Sequence, residues 1–240
     1  MSSSQCFENP PNLRPSCGSG TVQEFGGLKT YVTGPPDSTH SILLISDVFG
    51  YEAPNLRKLA DKVAAAGFFV LVPDFFYGDP VDSNNPQFDR EAWRKVHNTD
   101  KGYEDAKPVI VALKSKGVSS IGAAGFCWAG KVVVKLASSD DIKAAVVLHP
   151  GRLTIDEINE VKVPIAFLGA EFDHASPPEQ LKDFGEILSA KSEQFESTVK
   201  IFPGVSHGWT VRYNVDDESA VKSAEEAHGD MLNWFTKHVK

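Results

Sequence analysis

The sequence has 240 residues, of which 41% are hydrophobic and 23% are charged, so the chain is long enough to bury a sizeable core. Its formal net charge is −8, and its Lys and Arg residues are scattered rather than clustered. Nucleic acids and anionic membrane surfaces carry charge of the same sign, so we expect neither of them to be a partner.

The N-terminus does not resemble an export signal, because Met1 to Gln5 contain neither a basic start nor an apolar stretch. No window approaches the roughly 18 consecutive apolar residues of a membrane-spanning helix. The three cysteines are an odd and small number for a secreted disulfide framework. We therefore expect a cytoplasmic protein, and the sequence leaves open whether it is a monomer or a homodimer.

Residues 1–20 are rich in Pro, Asn, Ser and Gly, a composition that favours neither helix nor strand. We predict an extended N-terminal segment over 1–20 and a single domain over 21–240. Cys6 and Cys17 lie in this segment and are interpreted as exposed or half-buried thiols without a role. A disulfide between them is the less favoured alternative, because a reducing compartment opposes it.

Alternating residues over 21–25 and 29–33, separated by Gly26-Gly27, predict a β-hairpin. Short apolar runs follow, and their nearly continuous apolar character is typical of strands buried on both faces of a parallel sheet. The runs cover residues 42–45, 69–72, 121–124, 144–148, 165–168 and 199–202. Because helix-like stretches separate them, we predict an α/β fold with a mostly parallel, doubly wound sheet, to which the hairpin adds antiparallel edge strands.

The first helix is predicted between the runs 42–45 and 69–72, where apolar residues recur at helical spacing between Pro54 and Gly67. Further helices are predicted over 90–116, 129–138, 178–191 and 218–238. In such sheets the active site lies beyond the carboxyl ends of the strands. The residues that follow each apolar run are therefore the candidates for function.

Cys127 follows the run 121–124, lies between Gly125-Phe126 and Trp128-Ala129-Gly130, and precedes a helix-like stretch. A reactive residue between small residues at a strand-to-helix junction is the layout of a nucleophile elbow. The N-terminus of the following helix favours a thiolate and a developing oxyanion. The alternative is a buried structural cysteine, and Ala129 in place of a glycine makes the match to the elbow imperfect.

Asp173 and His207 follow the runs 165–168 and 199–202. Taken alone, Asp173 would be a helix cap, and a lone loop histidine is usually just exposed. Together with Cys127, however, they stand in the order nucleophile, acid, base, which is the order found in α/β-hydrolases. We therefore predict a Cys127-His207-Asp173 triad, with His149 and His174 as reserve candidates for the base.

These motifs resemble those of the dienelactone hydrolase family, which has the α/β-hydrolase fold, and the resemblance extends from about residue 20 to the end. Its specific parts are residues 125–130, 169–178 and 206–208. Residues 6–11 and 51–60 resemble a plant branch of this family, some of whose members have been named endo-1,3;1,4-β-glucanases. The resemblance implies Cys127 as nucleophile, His207 as base and Asp173 as the acid that orients it.

The resemblance also implies an oxyanion hole made of the backbone amides of Val48 and Trp128. Asp47 stands where the family has a glutamate tied to activation of the thiol, and its carboxylate is one methylene shorter. Arg212 lies near the place of an arginine that holds a substrate carboxylate in the bacterial enzymes, one residue further from the histidine. Asp47 and Arg212 are thus candidate substrate-binding residues.

Tyr51 and Trp209 are further candidates for substrate binding, and their alternative role is ordinary core packing. The predicted reaction is hydrolysis of a small-molecule ester or lactone through an acyl-thioenzyme. One alternative is glycoside hydrolysis of a glycan, although no recognisable carboxylate pair occurs. Another is a non-catalytic ligand receptor or redox sensor on the same fold. No zinc-ligand spacing and no phosphate-binding glycine motif is present, so we expect no metal and no cofactor.

Overall fold

A computed structural model describes residues 4–11 and 17–240 and places an eight-stranded sheet at the centre of the molecule. Its strands are β1 (Thr21–Phe25), β2 (Leu28–Thr33), β3 (His40–Ile45), β4 (Phe69–Pro73), β5 (Ser120–Phe126), β6 (Ala144–Leu148), β7 (Ile165–Phe172) and β8 (Ser197–Ser206). The strand order is β1-β2-β4-β3-β5-β6-β7-β8. Strands β3 to β8 run parallel, whereas β1 pairs with β2, and β2 with β4, in antiparallel fashion.

Helices cover both faces of this sheet. They are α1 (Pro54–Ala65), α2 (Arg90–Val96), α3 (Thr99–Ser115), α4 (Ala129–Ala137), α5 (Ile155–Asn159), α6 (Pro178–Ser189) and α7 (Glu218–His238). Buried side chains of α1 and α7 belong to one apolar cluster, and those of α3, α4 and α6 belong to another. The predicted α/β fold, with its mostly parallel sheet and its N-terminal antiparallel pair, is confirmed.

Local capping explains two differences from the predicted helices. The single helix expected over 90–116 is two helices, because the chain leaves the helix at His97 and Asn98 begins a new one. The side chain of Asn98 caps α3 by accepting a hydrogen bond from the amide of Lys101 at 2.9 Å. Helix α5, which the apolar pattern did not predict, begins at a capping box formed by Thr154 and Glu157.

The N-terminal segment also differs from its prediction. Ser4–Phe7 form a short 3-10 helix, and Cys6 is only 3% exposed, so the expectation of an exposed or half-buried thiol is wrong for Cys6. Cys17 is half-buried as expected, and both thiols are free, so the alternative disulfide between them is not formed. The parts of the predicted extended segment at 1–3 and 12–16 lie outside the described residues. Within the described ranges, no helix is long and apolar enough to cross a membrane.

The cap at Asn98 allows a test of the break between α2 and α3. Replacing Asn98 by Ala removes the acceptor for the Lys101 amide, so we expect the free energy of unfolding in urea to fall by about 1 kcal/mol. The Asn98→Asp variant keeps an acceptor oxygen and is the matched control, which should stay close to the wild type. An Ala variant as stable as the Asp variant would contradict the capping role.

Candidate active site

Cys127 occupies a sharp turn between β5 and α4. Its φ of +53° lies in the left-handed region, which a residue with a side chain seldom adopts. A β-carbon on Gly125 would lie 2.5 Å from the carbonyl oxygen of Ala129, so only glycine lets the strand and the helix approach this closely. The amide of Gly151 donates to the carbonyl oxygen of Cys127 at 2.8 Å and helps to hold the turn. This backbone places the cysteine at the carboxyl edge of the parallel strands.

Asp173 and His207 are brought to the same edge by β7 and β8. Nδ1 of His207 lies 2.8 Å from Oδ2 of Asp173, and both side chains are almost completely buried. Oδ1 of Asp173 accepts hydrogen bonds from the amides of Ala175 and Ser176 at 2.8 and 3.2 Å, which fixes the carboxylate. Because Nδ1 is engaged, the other ring nitrogen, Nε2, is available to meet a sulfur.

Two sulfurs lie near the His207 imidazole. A ring nitrogen of His207, Sγ of Cys127 and Sγ of Cys6 all lie within 4.8 Å of one another. The structure therefore brings together Cys127, His207 and Asp173, as predicted from their order along the chain, and adds Cys6, which sequence reasoning had set aside. The available signal was the apolar pair Cys6-Phe7 inside a polar segment. Two thiols and an imidazole are also ligands that Zn²⁺ favours, so the absence of a metal stays a prediction.

Residues 4–11 form what we call the N-terminal strap, which passes over this edge of the sheet. The Gln5 side chain accepts a hydrogen bond from the amide of His174 at 2.7 Å and donates one to the carbonyl oxygen of Phe172 at 3.2 Å. The Phe7 ring lies under the guanidinium groups of Arg90 and Arg94, at 4.6 and 4.8 Å from its centroid. With the strap in this position, Cys127 is 0% exposed.

Asp47 and Arg212 are bonded to each other beneath the strap. Oδ2 of Asp47 accepts from Nε of Arg212 at 2.6 Å, and Oδ1 accepts from the amide of Phe49 at 2.9 Å. Nη1 of Arg212 donates to the carbonyl oxygens of Gln5 and Glu8 at 3.1 and 3.3 Å. Burial opposes the charge of Arg212, but the Asp47 carboxylate raises the pKa of the guanidinium above its ordinary value. In this conformation both side chains serve the protein's own contacts, so their substrate-binding roles stay predictions.

The aromatic candidates lie further from the thiol. The Tyr51 ring packs on the Arg57 guanidinium at 5.1 Å, and the Trp209 ring packs on His149 at 5.3 Å. His149, a reserve candidate for the base, is bonded through Nε2 to Oγ1 of Thr210 at 2.7 Å. Burial lowers the pKa of His149 well below its ordinary value, so this ring is neutral. His174, the other reserve, has its side chain at the surface.

A cavity of about 280 Å³ opens beside the Cys127 sulfur. It is lined by Cys6, Phe7, Val48, Trp93, Arg94, His97, Asn98, Thr99, Cys127, Trp128, Lys131, Gly151 and Arg152. Both residues whose amides are predicted to form an oxyanion hole, Val48 and Trp128, are in this lining. Among the described residues, neither amide donates a hydrogen bond to another group, so both are available to an oxygen in the cavity.

Cys127 and His207 shift each other's pKa. Burial is the main cause that raises the pKa of Cys127 well above its ordinary value, and the hydrogen bond with Cys6 adds to the effect. Burial alone would lower the pKa of His207, but negative charge on the Cys127 sulfur and the hydrogen bond to Asp173 raise it to about 9. Burial of the sulfur thus favours a thiol beside a neutral imidazole, whereas the charge of a thiolate and the Asp173 carboxylate favour the imidazolium, so the two groups are placed to exchange one proton.

A mostly parallel sheet that carries a reactive residue in a strained turn after a central strand defines the α/β-hydrolase class. The model of the dienelactone hydrolase family matches residues 28–239, so the chain belongs to this family and is a hydrolase. Solved structures support the fold: a dienelactone hydrolase-like promiscuous phosphotriesterase from metagenomic libraries superimposes with a TM-score of 0.69 at 15% identity, over 93% of this chain and 100% of the other.

Two relatives of this chain carry different names. An endo-1,3;1,4-beta-D-glucanase of Zea mays is 42% identical over 196 residues, which cover 79% of this chain. The aligned region spans only 63% of the maize protein. A carboxymethylenebutenolidase homolog of Mus musculus is 32% identical over 237 residues, covering 93% of this chain and 96% of the mouse protein.

The Asp173–His207 hydrogen bond can be tested by NMR titration of the imidazole. In the Asp173→Asn variant the carboxylate that favours the protonated ring is lost, so the pKa of His207 should fall below its wild-type value of about 9. His228 is an internal control in the same spectra, because burial is the main cause that lowers its pKa to about 4 and its bond is to the Thr210 carbonyl oxygen. If the pKa of His207 is the same in the variant and the wild type, Asp173 does not stabilise the imidazolium.

Proposed function

We propose that the chain hydrolyses a small-molecule ester or lactone through a covalent bond to Cys127. The single observation that carries this proposal is the strained turn that holds the Cys127 sulfur beside the His207 imidazole, whose Nδ1 is fixed by Asp173 at 2.8 Å. A nucleophile next to a base that is itself oriented by a third group is the arrangement of nucleophilic catalysis. The family match supports the same class of reaction.

In the proposed mechanism, His207 Nε2 takes the proton of Cys127, and the sulfur attacks the carbonyl carbon of the substrate. The amides of Val48 and Trp128 stabilise the resulting oxyanion, a contribution that is typically about 10²–10³ in rate for one donor. The tetrahedral intermediate expels the alcohol, which leaves with the proton held by His207. The imidazole then deprotonates a water molecule that attacks the thioester, which releases the acid and restores the thiol.

The basic residues in the cavity lining favour a substrate ester that carries a negative charge. Arg94, Lys131 and Arg152 line the cavity, and none of the described residues in its lining is acidic. Nζ of Lys131 is paired with Oε1 of Glu157 at 2.6 Å, and the Arg94 guanidinium lies on the Phe7 ring of the strap. Arg152 is exposed and has no ion-pair partner among the described residues, so it is the best placed to receive a substrate carboxylate.

Glycoside hydrolysis is a second candidate, because the maize relative at 42% identity is named a glucanase. That reaction requires two carboxylates about 5–9.5 Å apart on either side of one bond. Two carboxylates that follow strands, Asp47 and Asp173, are engaged with Arg212 and His207. Two others hold backbone amides: Asp74 accepts from Phe76 and Gly78, and Glu171 accepts from Gly204. The geometry therefore favours the ester reaction.

A ligand receptor or redox sensor without catalysis would have no need of the fixed His207–Asp173 pair.

Removing the thiol is the direct test of this mechanism. We expect Cys127→Ala to lower kcat/KM for an aryl ester by about 10⁴-fold or more, because the variant lacks the sulfur that the strained turn holds beside His207. Cys17→Ala is the matched control, since its sulfur lies near the Glu52 carbonyl oxygen and away from the cavity, and it should keep the wild-type rate. Mixed-linkage glucan is assayed in parallel. Glucan cleavage that survives loss of Cys127 but fails in carboxylate variants would favour the glycosidase instead.

The proposed charge preference is tested at Arg152. Arg152→Gln removes the positive charge, so we expect KM to rise about 10-fold for a carboxylate-bearing ester while kcat changes little, because the contact is equally strong in the ground and transition states. Arg152→Lys keeps the charge and serves as the control. A neutral ester of similar size should show little change in either variant, and an equal loss for both substrates would contradict a carboxylate contact.

A further inference from the structure

Cys6 places a second thiol against the proposed nucleophile. The sulfurs of Cys6 and Cys127 lie within 4.8 Å of each other, both residues are buried, and both thiols are free. A disulfide requires a sulfur–sulfur distance of about 2.05 Å, so less than about 3 Å separates the present arrangement from a covalent bond. Among the residues that the structure describes, Cys6, Cys127 and His207 are the only group of three His, Cys, Asp or Glu side chains whose ligand atoms lie this close together.

The N-terminal strap that carries Cys6 can make this movement without disturbing the sheet. It is not one of the eight strands, and side chains rather than a β-ladder attach it to the rest of the fold. Gln5 bonds to the backbone of Phe172 and His174, and Arg212 bonds to two carbonyl oxygens of the strap. A shift of the strap changes these contacts and leaves β5, with Cys127 at its end, in place.

The chemistry around Cys6 favours oxidation. The hydrogen bond from the Cys127 thiol lowers the pKa of Cys6, and the positive charge of Arg212 lowers it further, although burial opposes both. The thiolate is the form of cysteine that reacts with peroxides. Two buried sulfurs within 4.8 Å of each other, one of them more readily ionised, are thus arranged as an attacking thiolate and a resolving thiol.

We propose that Cys6 and Cys127 form a reversible disulfide, with a peroxide as the oxidant. The Cys6 thiolate attacks one peroxide oxygen, which forms an S–O bond, breaks the O–O bond and leaves Cys6 as a sulfenic acid. The Cys127 sulfur passes its proton to His207 and attacks the Cys6 sulfur, which forms the S–S bond and expels the oxygen as water. The two sulfurs together lose two electrons, and the peroxide is reduced to two molecules of water or to water and an alcohol.

The disulfide has two consequences for the site. It removes the nucleophile, and this consequence for activity depends on the function proposed above. It also protects the Cys127 sulfur from oxidation to the sulfinic acid, which thiol reductants do not reverse. A dithiol such as dithiothreitol restores both thiols by exchange.

The test treats the full chain with hydrogen peroxide and maps its peptides without reduction. Trypsin leaves Cys6 and Cys17 in one peptide, because Arg14 precedes Pro15, so the Cys17→Ser variant is needed to assign the linkage. In the wild type and in Cys17→Ser we expect the peptide that contains Cys6 to be joined to the peptide that contains Cys127. The joined species should be lighter than the sum of the two reduced peptides by two hydrogen atoms. Dithiothreitol should separate the pair.

Recovery of activity is the second readout, with each protein compared with its own untreated rate. After peroxide and then dithiothreitol, the wild type and Cys17→Ser should regain nearly all of that rate, and Cys6→Ser less than about a tenth, because its Cys127 reaches the sulfinic acid. The proposed disulfide would be contradicted if Cys127 were oxidised without a link to Cys6, or if Cys6→Ser recovered as much of its activity as the wild type. If Cys127→Ala kept the hydrolytic activity, the proposed function would fail, whereas the linked peptide of the wild type would still decide the present inference.

Discussion

The hydrogen bond between Nδ1 of His207 and Oδ2 of Asp173 is the interaction on which the proposed chemistry depends. Its length is 2.8 Å, and both groups are buried, so the charge of an imidazolium is stabilised where water is scarce. The bond joins the ends of β7 and β8 and turns the second ring nitrogen towards the sulfur at the end of β5. Three distant parts of the chain thereby act as one chain of proton donors and acceptors, which the parallel sheet brings to a single edge.

A second polar cluster connects the N-terminal strap to the loop after β3. Arg212 bonds to Asp47 in the loop after β3 and to two carbonyl oxygens of the N-terminal strap. Cys6 and Phe7 of the strap line the same cavity as Cys127, whose side chain is buried. The segment that lines the proposed substrate cavity is therefore also the segment that carries the second thiol.

The sequence predicted the elements that depend on local pattern. The apolar runs located all six parallel strands, and the small residues around Cys127 located the strained turn. The break at Asn98 was missed because one side-chain cap outweighed a continuous helical pattern. The position of Cys6 could not be predicted, since it depends on contacts between residues that are far apart in sequence, such as Arg212 with Gln5. The engagement of Asp47 with Arg212 was missed for the same reason.

The central claim is that the Cys127 sulfur carries the acyl group during turnover. Mass spectrometry of the intact chain, quenched with acid during hydrolysis of an activated ester, measures this directly. The account predicts an increase by the mass of one acyl group, located on the peptide that contains Cys127 and lost as the ester is exhausted. Steady turnover with no acyl adduct on this peptide, or with the adduct on another residue, would contradict it.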